Sequence, residues 1–532
     1  MTLQPYKHIV VVVIFFLLHT AESQVLRENG YKFNNSAIVL DSKQLSNSVT
    51  DIFFVGDTMW IGTGKGLSRS VDGGRTWKNY YGTPEFGKED VSAIAVFKNQ
   101  IWVATAHSVV IDDKSLPEGS GIRYSSDGGT TWQVFPQPVD VNNVDTLVWN
   151  SKSTVDSYNW NPKSVIRALG ITTTIQNLTY DISANDSAVW IASWAGMVRK
   201  STDKGKTWNR VILPPDSRSS ISPNDSLVFD LSPSQGKLGL ERNLNHSGFS
   251  VLAEDNNTIW VGTAGGINKT TDGGKSWLKF SHQNQIEPIS GNFVVALAKQ
   301  KFGTKNILWA ATINAEGNDE KRGVSFSDDG GVSWKTTLLG EFTHNFGIKN
   351  DIVYAVTDNG IFRSTDFGNS WSTTGTIQDP SNKQRIASTK FYSSAPQGDT
   401  VFFGGNDGLI KTIDNSSVPF GSAWKILRAS QSVSGTHSTY AFPNPFSPDD
   451  EVVRLHYAVS KITSRVTIRI FDFGMNLVRT VIQNVTRNGN AEYDEIWNGK
   501  TDAQQQVVNG VYFYEIIIDD EQPMWGKILV LQ

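Results

Sequence analysis

The chain has 532 residues, more than the roughly 250–300 that one hydrophobic core usually holds, so two or more folded units are expected. Its 48 basic and 52 acidic residues leave a net charge of -4 with no Lys/Arg run, which argues against a nucleic-acid or anionic-membrane partner. Cysteine is absent, which removes disulfides, thiol catalysis, thiolate metal sites and lipoprotein anchoring.

The N-terminus reads as a secretory signal. Lys7 and His8 precede the apolar run Ile9 to Leu18, and Ala21-Glu22-Ser23 supplies small residues for cleavage before Gln24. That run is about ten residues, whereas a bilayer span needs about 20. Residues 1–23 are therefore expected to be cleaved off, and no membrane span is expected in the mature chain.

From Ser70 onward the chain repeats one phrase, Ser/Thr-x-Asp-x-Gly-x-Ser/Thr-Trp. Its aspartates are Asp72, Asp127, Asp203, Asp272, Asp329 and Asp366, and it closes on Trp77, Trp132, Trp208, Trp277, Trp334 and Trp371. A damaged seventh copy runs from Thr412 through Asp414 to Trp424. Around each copy, short apolar runs alternate with Gly/Asp/Asn turns. In the first repeat they are Thr50–Val55, Met59–Thr63, Leu67–Ser70 and a strand from Trp77. Self-similarity at this spacing marks a repeat architecture, and four strands in each of seven repeats suggest a seven-bladed β-propeller. The Asp can accept turn N–H groups, the Gly supplies positive φ, and the Trp seeks an apolar seam.

These residues resemble the Asp-box (BNR) repeats of sialidases, sortilin-type receptors, xyloglucan-active glycosidases and photosystem assembly factors. The resemblance implies the fold, since those families share the turn and not the chemistry. Trp60-Ile-Gly-Thr-Gly-Lys-Gly-Leu67 and Trp260-Val-Gly-Thr-Ala-Gly-Gly-Ile267 are also similar to the sensor-propeller repeats of two-component regulators. A phosphate loop does not fit these two stretches, because no helix is expected after them and neither contains Gly-Lys-Ser/Thr. The sialidase likeness stops at the boxes, with no Arg-Ile-Pro in the first repeat and no Arg triad. Xyloglucan-active relatives have two propellers, and this chain has room for one.

In a four-stranded blade the Asp phrases, between strands three and four, occupy one face. The long insertions fall on the other: His107–Ser120 and Ile313–Arg322 after second strands, Pro136–Asp181 and Leu213–Gly248 after fourth strands. Loops gathered on one end of a rigid scaffold are where binding usually resides. Trp194 stands in a turn whose siblings carry Gly64-Lys65 or Ala264-Gly265, and Trp149, Tyr158 and Trp160 lie in the neighbouring insertion. These aromatics either bind a glycan or protein ligand or pack the insertion onto the propeller. Asp112, Asp113 and Glu118 in one loop, and Glu316, Asp319 and Glu320 in another, are the candidate catalytic carboxylates of the alternative, a glycoside hydrolase. His107, His246 and His344 are isolated in sequence, without metal-ligand spacing, and neither a metal nor a cofactor is expected.

Residues 430–438 read as a linker. After it, alternating strands are expected at Val452–Tyr457, Val466–Phe471, Asn490–Trp497, Val511–Ile518 and Gly526–Leu531, fitting an immunoglobulin-like sandwich over 439–532. Phe442-Pro-Asn-Pro-Phe-Ser-Pro448, Ile470-Phe-Asp472, Trp497-Asn-Gly-Lys500, Asn509-Gly-Val-Tyr-Phe-Tyr514 and Lys527-Ile-Leu-Val530 resemble the immunoglobulin-like module of flagellar hook-capping proteins and of type IX secretion sorting domains. Met475 and Gln505 depart from its usual glycines. The resemblance implies a bacterial, secreted or outer-membrane-associated protein that meets the secretion machinery through this domain. The expected whole is all-β, with a signal peptide at 1–23, a seven-bladed propeller at 24–429 and the sandwich.

Overall fold

The computed structural model describes residues 43–112, 114–140, 161, 163–168, 170–233, 241–381, 384–429, 439–449, 451–488 and 491–532. The signal segment, Asp113, Trp149, Tyr158, Trp160 and the 430–438 linker lie outside the described residues.

Among the described residues, seven antiparallel sheets of four strands succeed one another, the fourth gaining an outer strand from Ser220–Ile221. Their innermost strands are Val49–Val55, Asp90–Phe97, Thr179–Ala184, Gly248–Ala253, Phe293–Phe302, Thr343–Lys349 and Phe391–Gln397. Second strands such as Thr58–Thr63 and Ile259–Thr263 are buried on both faces, which is why they read as continuous apolar runs. These two carry glycine where the next innermost strand crosses them. A Cβ on Gly62 would meet Val91 at 2.7 Å, and one on Gly262 would meet the Val294 carbonyl at 2.6 Å.

The sheets close into a ring by side-by-side packing. Phe402 and Leu409 of the seventh share a core with Val49, Met59 and Trp77 of the first. Lys411 Nζ donates to the Gly73 carbonyl at 2.8 Å, and Gln397 Nε2 to that of Gly56 at 2.9 Å. The four-stranded core of each sheet is one continuous stretch of chain, so among the described residues no strand is exchanged to latch the ring.

After the ring, Thr439–Phe442, Val453–Val459 and Ala491–Trp497 form one sheet of a β-sandwich. Leu477–Asn488, Thr463–Phe471, Gly510–Ile518 and Met524–Val530 form the other. Leu455, Tyr457, Ile468, Trp497 and Tyr514 fill the space between. The long edge strand Leu477–Asn488 is absent from the sequence reading because register shifts and a positive φ of 52° at Asn484 break its two-residue alternation. The stretch His107–Ser120, expected as a loop, is not one either. It is the projecting part of a hairpin formed by Gln100–Ile111 and Lys114–Ser125.

Candidate functional site

Each Asp phrase is a closed turn. In the first, the Asp72 carboxylate accepts the Arg75 and Thr76 N–H groups, both at 2.9 Å, and the hydroxyls of Ser70 at 2.9 Å and Thr76 at 2.7 Å. Burial raises the Asp72 pKa, but the hydrogen bonds outweigh it and hold the group at about 2. Trp77, Trp277 and Trp334 are buried, each donating Nε1–H to the carbonyl of the phrase's own glycine. Trp132, Trp208 and Trp371 are only half-buried. Trp132 and Trp371 meet a Trp of the preceding sheet edge-on, Trp60 at 5.9 Å and Trp309 at 6.1 Å. The phrase thus joins neighbouring sheets as well as closing its own turn.

The damaged copy does something else. Asp414 is buried and takes Arg363 Nε and Nη2 of the sixth sheet at 2.7 and 2.8 Å, together with the Tyr354 hydroxyl. Its carboxylate has left the turn to pair with the neighbouring sheet.

On the face opposite the phrases, part of the area is already covered. The sandwich rests on sheets seven and one and on the connection between sheets six and seven: Arg454 pairs with Asp407, Lys65 with Glu451 at 3.0 Å, and Arg385 lies 5.2 Å from the Tyr493 ring centre. Pro448, Val452 and Lys500 of the sandwich line the mouth of a central channel of about 1180 Å³.

The open part carries a cluster of rings. Trp194 is stacked on Phe293 at 5.8 Å and tilted against Phe249 at 5.4 Å. Phe249 in turn meets Phe293 at 4.8 Å and Tyr180 at 5.5 Å. Tyr180 is 36% exposed and the other three are half-buried. Tyr180, Phe249 and Phe293 were missed in sequence, although Tyr180 and Phe249 share one repeat position, the bulged residue of the innermost strand. Thr50, Ser92, Val295, His344 and Tyr392 hold that position elsewhere, so aligning the repeats would have found it.

The candidate carboxylates do not converge. Glu320 is buried and fully engaged: it accepts the N–H groups of Asn292, Ala315 and Gly317 at 2.7–3.2 Å and the amides of Gln283 and Asn292. Glu316 pairs with Arg242, while Asp112 and Asp319 are exposed on separate loops. Glu118 holds the Thr174 hydroxyl and lies 3.3 Å from His107 Nε2. His107, far from isolated, also has Glu89 2.8 Å and Ser120 2.9 Å from Nδ1. The imidazole fills the space between the two carboxylates and braces the hairpin arm.

His246 and His344 have partners too. Buried His246 accepts the Ser232 N–H and donates to the Leu213 carbonyl, and burial pushes its pKa down to about 4. His344 Nε2 lies 2.8 Å from Asp358. Among the described residues no group of three or more His, Asp or Glu is arranged to hold a metal ion, and no helix is long and apolar enough to cross a membrane.

Two carboxyls inside the channel were not singled out in sequence. Asp51 accepts the N–H groups of Ile52 and, from the next sheet, Ile94, both at 3.0 Å. Asp181 accepts those of Ile182 and Val251 at 2.8 Å. Burial pushes each up to about 7, and for Asp181 the Asp51 charge adds to it.

The fold defines the class: a β-propeller carrying a β-sandwich. No protein-family model matches the chain, and no curated protein matches it. Among solved structures, 71% of it aligns with 98% of YCF48 from Cyanidioschyzon merolae, at 14% identity and a TM-score of 0.42. For the GH74 enzyme of Niastella koreensis the coverages are 93% and 74%, the identity 13% and the TM-score 0.45. For PorZ, a surface component of the type-IX secretion system of Porphyromonas gingivalis, they are 91% and 66%, 13% and 0.31. These are distant likenesses, and the fold assignment rests on the chain's own sheets.

Proposed function

We propose that this protein is an exported binding module of the bacterial cell surface, which takes a glycan or protein ligand on the aromatic cluster of Tyr180, Trp194, Phe249 and Phe293. The observation that carries this reading is their position: four rings converge from sheets three, four and five on the part of the insertion face that the sandwich leaves open. A rigid, partly exposed aromatic surface suits stacking on sugar rings or anchoring a protein partner at low entropic cost. The six Asp-box-like turns supply the scaffold, and the sandwich serves sorting for secretion or surface attachment.

The alternative, a glycoside hydrolase, needs two carboxyls facing each other across open space. Saturation of Glu320, the Arg242–Glu316 pair and the imidazole between Glu89 and Glu118 favour the binder instead. Glycan and peptide arrays probed with the purified protein test the proposal. Binding to one array should weaken about tenfold or more in Trp194→Ala, the loss typical of a central aromatic. Binding that Trp194→Ala leaves intact would contradict it.

A further inference from the structure

We infer that the sandwich is a permanently seated cap of the propeller, and that it stays in place after the chain between residues 429 and 439 is cut. This inference is independent of what the aromatic cluster binds. It begins at Asp407, in the turn between the second and third strands of the seventh sheet. Asp407 is 2% exposed. One oxygen accepts the Ala387 N–H at 2.8 Å, and the other receives Arg428 Nη2 at 3.1 Å. Arg454, from the sandwich, pairs with the same carboxylate.

Arg454 is completely buried, although it belongs to the sandwich surface that faces another domain. A guanidinium loses its water only where the atoms immediately around it close on all sides; a cavity of about 240 Å³ remains elsewhere in the seam, beside Arg385 and Tyr493. A loosely tethered module would leave the Arg454 guanidinium hydrated. Around this pin the seam joins an arginine to a tyrosine and carries a further ion pair, contact types found at stable interfaces. The guanidinium of Arg385 crosses the seam to lie 5.2 Å from the Tyr493 ring centre, which the sandwich's own Arg487 approaches at 5.3 Å. Lys65–Glu451 closes the side nearest the channel.

The seat has two consequences. Pro448, Val452 and Lys500 stay at the insertion-face mouth of the channel and narrow it, while Tyr180 lines the part that the sandwich leaves open. The sheet containing Val453–Val459 and Ala491–Trp497 is turned to the propeller, so any machinery that reads the seated sandwich reads the other sheet.

Asp407 is also the asymmetric point of the seam. Arg454→Met removes one charge and leaves Asp407 paired with Arg428. Asp407→Ala leaves two buried guanidiniums without their carboxylate, which is the more disruptive loss.

The test is a protease site placed between residues 429 and 439 of the otherwise full-length protein, cut in the folded state and analysed by size-exclusion chromatography at micromolar concentration. The two fragments are expected to co-elute. With Asp407→Ala their dissociation constant should rise at least tenfold, and with Arg454→Met by less. If Asp407→Ala fails to fold, Arg454→Met alone gives the reading through a measurable rise. Fragments that separate as soon as the unaltered seam is cut would overturn the inference. Co-elution indifferent to both substitutions would overturn the role assigned to Asp407.

Discussion

Replacing Asp51 or Asp181 by Asn should flatten the pH dependence of stability between pH 4 and 8. Each carboxyl lines the channel, bridges two sheets through a backbone N–H, and is raised by burial from the ordinary carboxylate value to about 7. In the unfolded chain both ionise near pH 4. Between that pH and about 7 the folded protein therefore holds protons that the unfolded chain has released. Stability from these groups is complete below pH 4, falls as pH rises through 7, and is level above it. A rise from 3.8 to about 7 is worth about 4 kcal/mol per carboxyl at full strength. Both side chains are half-buried and face channel water, which reduces the figure to about 2 kcal/mol each.

Asparagine suits the position, because Asn345 already holds the corresponding site of the sixth sheet and accepts the Phe346 N–H at 2.8 Å. The substitution leaves a second N–H less well satisfied, a pH-independent cost of about 1 kcal/mol. The informative quantity is thus the slope. Urea unfolding of wild type, Asp51→Asn and Asp181→Asn at pH 4, 6 and 8 should show wild type losing about 2 kcal/mol more than either variant across the range. Parallel profiles would refute the assignment of both carboxyls.

Two further outcomes are expected. Asp414→Ala leaves Arg363 and the Tyr354 hydroxyl without their buried acceptor, so it should cost about 3 kcal/mol in the same unfolding assay; a loss below about 1 kcal/mol would mean that the pair does not hold the sixth and seventh sheets together. Truncation before Phe442 should abolish export or surface attachment in the native host, measured by fractionation, and unchanged export would remove the sorting role from the sandwich.

How much was legible in the sequence depended on whether the chemistry was local. The Asp phrases could be read because every group that Asp72 binds lies within a few residues of it. Strand runs such as Thr58–Thr63 could be read because burial on both faces leaves an unbroken apolar segment. The aromatic cluster was harder, since only Trp194 interrupts a local pattern. Tyr180, Phe249 and Phe293 come from different sheets and meet only in the ring. The hairpin arm was disguised by Pro117 and Gly119, turn residues that here sit within a strand. The seat of the sandwich had no local signature, because Arg454 reads as one more polar residue of an alternating strand until Asp407 is brought to it. Asp414 shows the reverse: a phrase that looked merely degenerate acquired a partner on another sheet.

The most direct measurement is the affinity of whichever array ligand binds, determined calorimetrically for the full-length protein, Trp194→Ala, Phe249→Ala and Trp525→Ala. Trp525 is 45% exposed on the sandwich sheet turned away from the propeller and serves as the control aromatic. Binding at the open part of the insertion face predicts that Trp194→Ala and Phe249→Ala each weaken affinity about tenfold or more, while Trp525→Ala leaves it unchanged. Unchanged affinity in both cluster variants, or an equal loss with Trp525→Ala, would contradict it.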